Sequence, residues 1–519
     1  MRRVELVQIV KNVSSSWIAL GTNVLVGIFL SPFMLHRLGD AAFGIWVLIF
    51  SITGYYGLFD LGIRSSLVRY VSKAKANNDI DYASRIISTT LFSYTCIGIA
   101  AFLTTVFLST YIGSFQIRGE FPLSTARLLL LLVGSAVSLG FPLGVSGGVL
   151  EGLQRFDVMN LTNIAATLLR ALLIVLALLH GYGLLTIATI TVGLPILFSI
   201  VRTVIAWRLL PARIGFRYVS RQTFREIANY SGFSFIAIVS TRLRFKSDEI
   251  VIGKFLSAVA ITNFNIGGRI VDYAEEVVES FAQIFVPMSS HSDATGDLNR
   301  LRKIFIAGNR FCAFITFPIC AILIILGKSV IEAWVGQRYV AQSYPVLLLM
   351  VIPSTLMMAQ SASTRVLFGM AQHKPLSIVT LVEGLLNIVL SIILVRPYGI
   401  VGDAIGTAIP LTATMIFFLP GHACRKLQIP VRTYLREAYL LPVLMCVPAI
   451  GALLMMKHWF IPHSYAQLAL HFIVVGLVYG AALFWAFASK RAMKVRLPSS
   501  PDVQLEPVGA VVENYSQDI

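Results

Sequence analysis

The sequence predicts an all-α membrane protein of about fourteen transmembrane helices, in which two six-helix lobes surround a central cavity and two further helices follow. Three observations predict this class. The 519 residues are 56% hydrophobic and 13% charged, apolar runs recur along almost the whole chain, and the two halves share a sequence pattern. Because soluble domains carry roughly 25% charged residues, the composition excludes a soluble globular protein.

The apolar runs have the length of membrane-spanning helices. About twenty residues cross the ~30 Å hydrocarbon core as an α-helix, and a backbone in lipid must satisfy its own hydrogen bonds. The runs lack the alternation of apolar and polar residues that a β-barrel requires, so we predict helices throughout. The predicted spans are residues 13–35, 41–63, 85–111, 125–150, 158–179, 184–207, 226–252, 257–288, 304–327, 343–368, 373–396, 400–423, 438–457 and 465–489.

The segments between the spans are short and basic. They leave no room for an extramembrane catalytic domain, and Gly327-Lys328-Ser329 lacks the earlier glycine of a nucleotide-binding P-loop. The sequence also lacks a Cys/His metal set, so we predict neither enzyme activity nor a cofactor. The net charge of +17 fits membrane topology better than nucleic-acid binding. With a cytoplasmic N-terminus, most of the 42 lysines and arginines lie in cytoplasmic segments, and both termini are predicted to be cytoplasmic.

Two separated pairs of segments indicate an internal repeat. Residues 38–56 share a pattern with residues 255–273, and residues 148–160 with residues 365–377, each at an offset of 217 residues. A unit of six helices keeps its orientation when it is repeated, so the copies are predicted to form a parallel repeat. The predicted divisions are an N-lobe (1–210), a C-lobe (211–426), two added spans (427–490) and a disordered cytoplasmic tail (491–519).

Charged residues inside the predicted spans mark the candidate site. Such a residue costs about 2.5–3.5 kcal/mol at a helix centre, so it is retained where it lines a wet cavity or is paired. Arg170 lies in the middle of span 5 without an acidic neighbour on its own helix, which makes it the strongest candidate. The other candidates are the basic residues Arg242, Arg244 and Arg269 and the acidic residues Asp272, Glu276, Glu279 and Glu383.

Polar stripes accompany these charges in both halves. The stripes have the same helical spacing and consist of Asn160, Asn163, Thr167 and Arg170 in span 5 and of Ser377, Thr380, Gly384 and Asn387 in span 11. Positions i, i+3, i+7 and i+10 share one face of a helix. Matching polar faces in the two halves predict a hydrophilic cavity between the lobes.

Three structural interpretations stay open beside the cavity. Polar stripes in membrane helices also hold neighbouring helices together through hydrogen bonds. Arg269 is close enough in sequence to Asp272 and Glu276 to form an internal ion pair. Arg242 and Arg244 lie near a helix end, where long basic side chains extend to the membrane interface.

Four stretches carry a family resemblance: LGDAAFGIW (38–46), GLFDLGIRSSLVRYVSKAKANND (57–79), EGLQRFDVMN (151–160) and SDEIVIGKFLSAVAITNFNIGGRI (247–270). They resemble the bacterial polysaccharide (Wzx-type) flippase family of the multidrug/oligosaccharidyl-lipid/polysaccharide exporter superfamily. The resemblance implies two six-helix lobes around a cationic cavity in the bacterial plasma (inner) membrane. It also implies translocation of undecaprenyl-pyrophosphate-linked oligosaccharide from the inner to the outer leaflet, for polysaccharide or O-antigen biosynthesis.

The resemblance and the residues together give a hypothesis for substrate contacts. An arginine fork pairs phosphate oxygens bidentately, so the predicted pyrophosphate contacts are Arg170, Arg242, Arg244 and Arg269. The predicted hydrogen-bond partners of the sugars are Asn23, Asn163 and Asn387. The expected partners are the lipid-linked oligosaccharide, membrane lipid, a polysaccharide polymerase and glycosyltransferases.

The energy source and the substrate class have alternatives. A cytoplasm-negative potential favours anion export by about 2.3 kcal/mol per charge per 100 mV. Coupling to H⁺ or Na⁺ is the other source, through Asp272, Glu276, Glu279 or Glu383. The competing functions are a cation-coupled multidrug antiporter and a lipid II flippase. A membrane glycosyltransferase or polymerase requires a sizeable outer loop, which the sequence lacks.

Overall fold

The computed structural model describes residues 3–115, 121–228, 239, 247–372 and 374–489. Every regular element in these ranges is helical. Eleven helical segments of the described part are long and apolar enough to cross a membrane. The prediction of an all-α, multi-pass membrane protein is therefore confirmed.

Seven helices precede residue 210. They are α1 (Arg3–Leu38), α2 (Asp40–Gly54), α3 (Ile63–Ala76), α4 (Ile80–Tyr111), α5 (Leu123–Gly152), α6 (Phe156–Leu179) and α7 (Leu184–Leu209). A 3₁₀ turn (Tyr55–Asp60) extends α2. Between this turn and α3, Leu61 and Gly62 have φ of +50° and +78°, so the chain changes direction there.

Ten labelled helices follow residue 247. They are α8 (Asp248–Phe255), α9 (Ala258–Ala282), α10 (Phe285–Ala294), α11 (Leu298–Val335), α12 (Val340–Ala359), α13 (Ser361–Gly369), α14 (Lys374–Ala413), α15 (Leu419–Leu427), α16 (Val431–Trp459) and α17 (Tyr465–Ala488). The Ser257 hydroxyl accepts the Ala260 N–H at 3.1 Å and so caps α9, which carries much of the candidate site.

The difference between eleven spans and the predicted fourteen has physical causes. The apolar segment Lys374–Leu427 contains two predicted spans, because the chain turns at Gly399, where φ is +60° and ψ is −142°. Helix α9 coincides with a predicted span, but its several charged residues make it less apolar than the others. Predicted span 7 (226–252) lies largely outside the described residues. The count of fourteen therefore stays a prediction.

Equivalent helices pack together in the two halves. In the first half α2 and α4 pack on α5, α5 packs on α7, and α1 packs on α6. In the second half α9 and α11 pack on α12, α12 packs on α14, and α8 packs on α14. This is the order that the 217-residue offset gives for one six-helix unit copied once. It supports the predicted lobe boundaries, which remain a proposal.

The halves meet through α2 and α9. Buried apolar residues of α1, α2 and α6 form one core with those of α9, α11 and α12. Helices α16 and α17 pack on the outside of α11, where the Tyr479 hydroxyl donates to the Phe314 carbonyl at 2.7 Å. Beside this core, the two halves enclose an open space.

Candidate functional site

Two adjoining cavities occupy the interior of the bundle. One, of about 670 Å³, lies between the halves and is lined by residues of α1, α6 and α9. The other, of about 680 Å³, lies within the first half among α2, α4, α5, α6 and α7. Arg170 and Thr191 line both cavities. We call the pair the central cavity; Arg170 stands at the junction of its two parts.

Arg170 is a half-buried cation without a partner among the residues that the structure describes. It lies on α6, and within the described residues it forms no hydrogen bond or ion pair. A guanidinium group carries five N–H donors, and donors removed from water without partners are costly. Its N–H donors are therefore available to an anion or to water in the cavity. The sequence analysis predicts Arg170 at the wall of a cavity, and Arg170 lines both parts of the central cavity.

Arg269 faces the same cavity but is paired. Its Nη1 lies 3.4 Å from Asp272 Oδ2 and 3.6 Å from Glu276 Oε1. Its guanidinium group lies 4.5 Å from the centre of the Tyr273 ring. The internal ion pair that stood as an alternative is thus present, and 35% of the Arg269 side chain is still exposed. An incoming anion therefore competes with two carboxylates for this residue.

Glu279, the third predicted ion-coupling residue of α9, is paired as well. Glu279 lines the cavity and forms an ion pair with Arg365 of α13, and it accepts a hydrogen bond of 2.9 Å from the Ser361 hydroxyl. All three predicted ion-coupling carboxylates of α9 therefore face arginines. Arg365 is 86 residues away in sequence, so helical spacing on α9 gives no indication of it.

The predicted asparagines are in three different settings. Asn23 lines the cavity, and its Oδ1 accepts a hydrogen bond of 3.1 Å from the Thr167 hydroxyl. Asn163 accepts a hydrogen bond of 3.4 Å from Arg202 Nη1 on α7. Asn387 lies away from the central cavity: it is 2% exposed and enclosed in the second half. The hypothesis that Asn387 contacts sugars is corrected on this ground.

Three predicted site residues remain. Two of them lie outside the described residues, and one lies in the interior of the second half. Arg242 and Arg244 lie outside the described residues. Glu383 is 3% exposed on α14, one helical turn before Asn387. It therefore lies in the interior of the second half, and not on the wall of the central cavity.

The structure adds a polar network that the sequence analysis did not identify. Arg64 donates two hydrogen bonds, of 2.6 and 3.2 Å, to the Glu151 carboxylate. Tyr94 donates to Asp60, and Asp60, Arg64 and Tyr94 all line the first-half part of the cavity. Asp60 and Arg64 lie at the end of the predicted span 41–63, where charged side chains commonly extend to the membrane interface. The chain reverses at Leu61 and Gly62, where φ is positive, and Asp60 and Arg64 on either side of this reversal point into the cavity. In the sequence, Gly62 was the only residue that indicated such a reversal.

The second half contains a buried oxygen cluster, defined here as Asp248, Asn387, Ser391, Asp403 and Thr407. All five residues are at most 5% exposed. Asp248 accepts hydrogen bonds from Asn387 Nδ2 at 3.3 Å and from the Thr407 hydroxyl at 3.1 Å. The cluster joins α8 to both parts of α14.

Cross-half hydrogen bonds lie at the end of the bundle where α1 ends and α2 begins. At this end Asp40 of α2 pairs with Arg338 Nη2 at 3.0 Å and accepts a hydrogen bond from the Tyr339 hydroxyl. The Trp334 indole donates to the Ile28 carbonyl at 2.7 Å. We call these contacts the Asp40 latch. They tie α1 and α2 to α11 and to the turn that follows it.

This combination of two similarly packed helical halves, an internal polar cavity and a latch at one end defines a multi-pass membrane transporter. The chain belongs to the family described as polysaccharide biosynthesis protein, whose model matches residues 35–344. This match covers more than half of the chain. It confirms the resemblance to Wzx-type polysaccharide flippases of the multidrug/oligosaccharidyl-lipid/polysaccharide exporter superfamily.

Relatives and solved structures agree with the assignment. A candidate O-antigen transporter of Shigella flexneri is 20% identical over 425 residues, which are 80% of this chain and 98% of the relative. A candidate low-salt glycan biosynthesis flippase of Haloferax volcanii, Agl15, is 19% identical over 74% of this chain and 77% of its own. These names denote transporters and flippases, so the prediction that the chain is not an enzyme is confirmed.

Two solved structures share the fold. The lipid II flippase MurJ in an inward closed conformation has a TM-score of 0.73 and 16% identity, over 92% of this chain and 99% of its own. An inward-facing multidrug resistance MATE family transporter of the MOP superfamily has a TM-score of 0.66 and 15% identity, over 78% of this chain and 94% of its own. At these identities the similarity concerns the fold alone.

Proposed function

We propose that this protein translocates an undecaprenyl-pyrophosphate-linked oligosaccharide from the inner to the outer leaflet of a bacterial plasma membrane. Its head group occupies the central cavity while the lipid tail stays in the bilayer. Family membership and the names of the relatives support the substrate class. The observation that carries the proposal is Arg170, a guanidinium group at the junction of both parts of the cavity that has no partner within the described part of the chain.

The physical task is to replace lost hydration. Each unpaired hydroxyl or charge in an apolar medium costs several kcal/mol. Arg170 supplies donors for the pyrophosphate, whose oxygens fit the guanidinium fork. Asn23 and Ser31 supply hydrogen-bonding groups on the opposite wall. The cavity thereby lowers the free energy that is needed to move the head group across the membrane, compared with passage through lipid.

Two further arginines, each paired with a carboxylate, can bind the pyrophosphate after it leaves Arg170. Arg64 and Arg269 are held by Glu151 and by Asp272 and Glu276. A pyrophosphate that moves from Arg170 towards either residue exchanges a carboxylate for a phosphate at the guanidinium group. Such an exchange keeps the guanidinium group paired during passage, and competition with the carboxylate limits how tightly the pyrophosphate is held at any one arginine.

The proposed orientation places both termini in the cytoplasm and the Asp40 latch at the outer side. The distribution of lysines and arginines supports it. On this orientation the membrane potential drives an anion outwards by about 2.3 kcal/mol per charge per 100 mV. A polymerase and glycosyltransferases would act on the product and supply the substrate, respectively.

The multidrug antiporter is the less favoured alternative. A cationic drug requires a carboxylate that is not already in an ion pair with a protein cation. The three carboxylates of α9 that suggested such a site, Asp272, Glu276 and Glu279, each face an arginine.

The test is a flipping assay in proteoliposomes with a fluorescent lipid-linked oligosaccharide. Arg170→Ala is expected to slow flipping at least tenfold, which corresponds to about 1.4 kcal/mol of lost interaction. Arg127→Ala is the matched control, because Arg127 is an exposed arginine of α5 that lines neither part of the cavity. Equal flipping rates for wild type and Arg170→Ala at equal protein levels would refute the proposal.

A further inference from the structure

An apolar groove opens at the surface of the first half. It measures about 290 Å³ and lies among α4, α5, α7 and the segment that follows α7. The hydroxyl-bearing residues on its wall are Ser146 and Thr203, which donate to carbonyl oxygens of their own helices at 2.9 and 2.8 Å. Trp207 and Ile214 line the groove and are exposed. The wall therefore presents mainly hydrocarbon, which suits an acyl chain.

A polar pocket adjoins one end of this groove. The pocket measures about 360 Å³, and Leu210 lines both spaces. Among the described residues on its wall, Lys75 and Arg155 carry positive charge and Asp79 carries negative charge. The Asp79 carboxylate accepts the Tyr82 N–H at 2.7 Å as the N-cap of α4, so one of its oxygens is already engaged. An excess of positive charge therefore lies at the end of an apolar groove.

Both basic residues of the pocket have N–H donors left for a ligand. The Lys75 ammonium group, which carries three donors, donates to the Leu153 carbonyl at 3.3 Å. The Arg155 guanidinium group, which carries five, donates to Asp157 through Nε at 2.9 Å and Nη2 at 3.2 Å. Within the described ranges neither side chain has a further partner. An anionic group in the pocket can therefore bind to both without breaking either contact.

Two exposed arginines increase the positive charge of this region. Arg208 and Arg213 stand at the two ends of segment 209–212, each residue of which lines the groove or the pocket. With the two basic residues of the pocket they make four positive charges, against the two carboxylates of Asp79 and Asp157. A surplus of basic residues at a membrane surface attracts anionic lipid head groups.

The sequence builds the pocket where two turns meet. Asn78 in the turn from α3 to α4 and Gln154 in the turn from α5 to α6 have φ of +52° and +59°, so each turn reverses the chain within a few residues. The Ser72 hydroxyl donates to the Gly152 carbonyl at 2.7 Å. A Cβ atom on Gly152 would lie 2.9 Å from the Val68 carbonyl oxygen, so α3 can approach the end of α5 this closely only at a glycine.

We propose that the groove and the pocket together bind one molecule of an anionic phospholipid. One acyl chain occupies the groove, and the phosphate group binds to Lys75 and Arg155. Charge complementarity favours this occupant, because charge-assisted hydrogen bonds to phosphate are strong and a zwitterionic head group would add a positive charge to a region already rich in them. On the proposed orientation the site lies in the cytoplasmic leaflet.

The site is separate from the central cavity. Gly140 and Gly144 of α5 line the first-half part of the cavity, whereas Pro142 and Ser146 line the groove. Residues two positions apart lie about 200° apart around a helix, so α5 stands between the two spaces, and Leu143 alone lines both. A lipid in the groove therefore lies outside the transport path, and its binding does not rest on the proposed function.

Native mass spectrometry of the purified full-length protein tests the proposal. Delipidated protein in detergent is titrated with phosphatidylglycerol and, separately, with phosphatidylcholine that has the same acyl chains. Wild type is expected to bind one phosphatidylglycerol molecule at least tenfold more tightly than phosphatidylcholine. Phosphatidylglycerol is also expected to raise the unfolding temperature, because it joins the end of α7 to the two turns.

Two variants separate the charge from the groove. Lys75→Gln should weaken phosphatidylglycerol binding about fivefold, which corresponds to about 1 kcal/mol for one basic residue near a membrane surface. Glutamine can still donate to the Leu153 carbonyl, so this change removes the charge and keeps the contact. Ile214→Asp places a carboxylate on the wall of the groove and should weaken binding while both basic residues of the pocket remain.

Each variant has a matched control. Lys73→Gln changes an exposed lysine of α3 that lines neither space, and Phe216→Asp changes an exposed apolar residue that lines neither space. Both controls should bind phosphatidylglycerol as wild type does. A loss of binding in the controls equal to that in Lys75→Gln and Ile214→Asp would overturn the proposal, because the effect would then be general.

Three other results would also overturn it. They are equal affinity of wild type for the two phospholipids, wild-type binding by both Lys75→Gln and Ile214→Asp, and displacement of phosphatidylglycerol by undecaprenyl pyrophosphate at equal concentration. The last result would assign the groove to the lipid carrier. None of these measurements requires flipping, so a failure here would leave the proposed function untouched, and a failure of the flipping assay would leave the phospholipid site untouched.

Discussion

The Asp40 latch makes a quantitative prediction about alternating access. Replacing Asp40 by alanine removes the acceptor for Arg338 at 3.0 Å and for the Tyr339 hydroxyl. The Arg338 side chain is 61% exposed, so the ion pair contributes about 0.2–1 kcal/mol. The hydrogen bond from Tyr339 to a carboxylate adds about 1.5–3 kcal/mol. On the proposed orientation, these two contacts together would favour a closed outer side by about 2–4 kcal/mol.

A loss of this size changes the population of outward-open molecules by roughly thirty- to a thousandfold, at about 1.4 kcal/mol per factor of ten. The assay is the labelling rate of a cysteine introduced at Asn23 in the cavity, with a membrane-impermeant thiol reagent applied from outside. The exposed native Cys96 is first replaced by serine. We expect Asp40→Ala to label much faster than its parent.

The control for this assay is Asp157→Ala, which breaks an ion pair with Arg155 inside the first half and leaves the latch unchanged. The interpretation of the latch is refuted if Asp40→Ala labels at the same rate as this control. Faster labelling of both variants would also contradict it, because the effect would then be general loosening of the bundle.

Two further predictions concern stability. Arg310→Ala should destabilise the protein by about 3–5 kcal/mol, since its 5% exposed side chain pairs with Glu437 at 3.4 Å and donates to the Glu437 carbonyl at 2.7 Å; an unchanged unfolding temperature would contradict this. Gly406→Leu should lower the unfolding temperature, because a side chain cannot fit against Ser391. A Gly406→Leu protein with wild-type stability would show that the two parts of α14 are not packed closely.

Much of the fold follows from local properties of the sequence. Apolar runs of membrane length predict helices wherever the structure describes them, and the helical spacing of Asn163, Thr167 and Arg170 correctly places them on one helix, α6. Arg170 lines the cavity in the structure; the sequence indicated it because a charged residue in the middle of a span, with no acidic residue within several turns of it, requires a polar surrounding. These features depend on residues within a few turns of each other.

The contacts that sequence reasoning missed are those between distant segments. Asn387 and Asp248 are 139 residues apart, and Glu279 and Arg365 are 86 apart. Periodicity on one helix shows which residues share a face but not what that face meets. For this reason the sequence analysis predicts that the polar stripe of span 11 lines the cavity. In the structure the turn at Gly399 packs the two parts of α14 against each other, and Asn387 is buried there.

The same limit explains the first-half network. Asp60 and Arg64 lie near a span end, where charged side chains commonly reach the interface. Only the backbone reversal at Leu61 and Gly62 turns them towards Tyr94 and into the cavity. Such a reversal is a tertiary property, because the same residues in a continuous helix would point elsewhere.

Arg170, which has no hydrogen-bond or ion-pair partner in the described ranges, is proposed to bind the pyrophosphate of the lipid carrier. Native mass spectrometry of the purified protein with undecaprenyl pyrophosphate tests it most directly, without requiring transport. Wild type and Arg127→Ala are predicted to retain the lipid, and Arg170→Ala to lose it at the same concentration. Equal retention by all three proteins would contradict the claim.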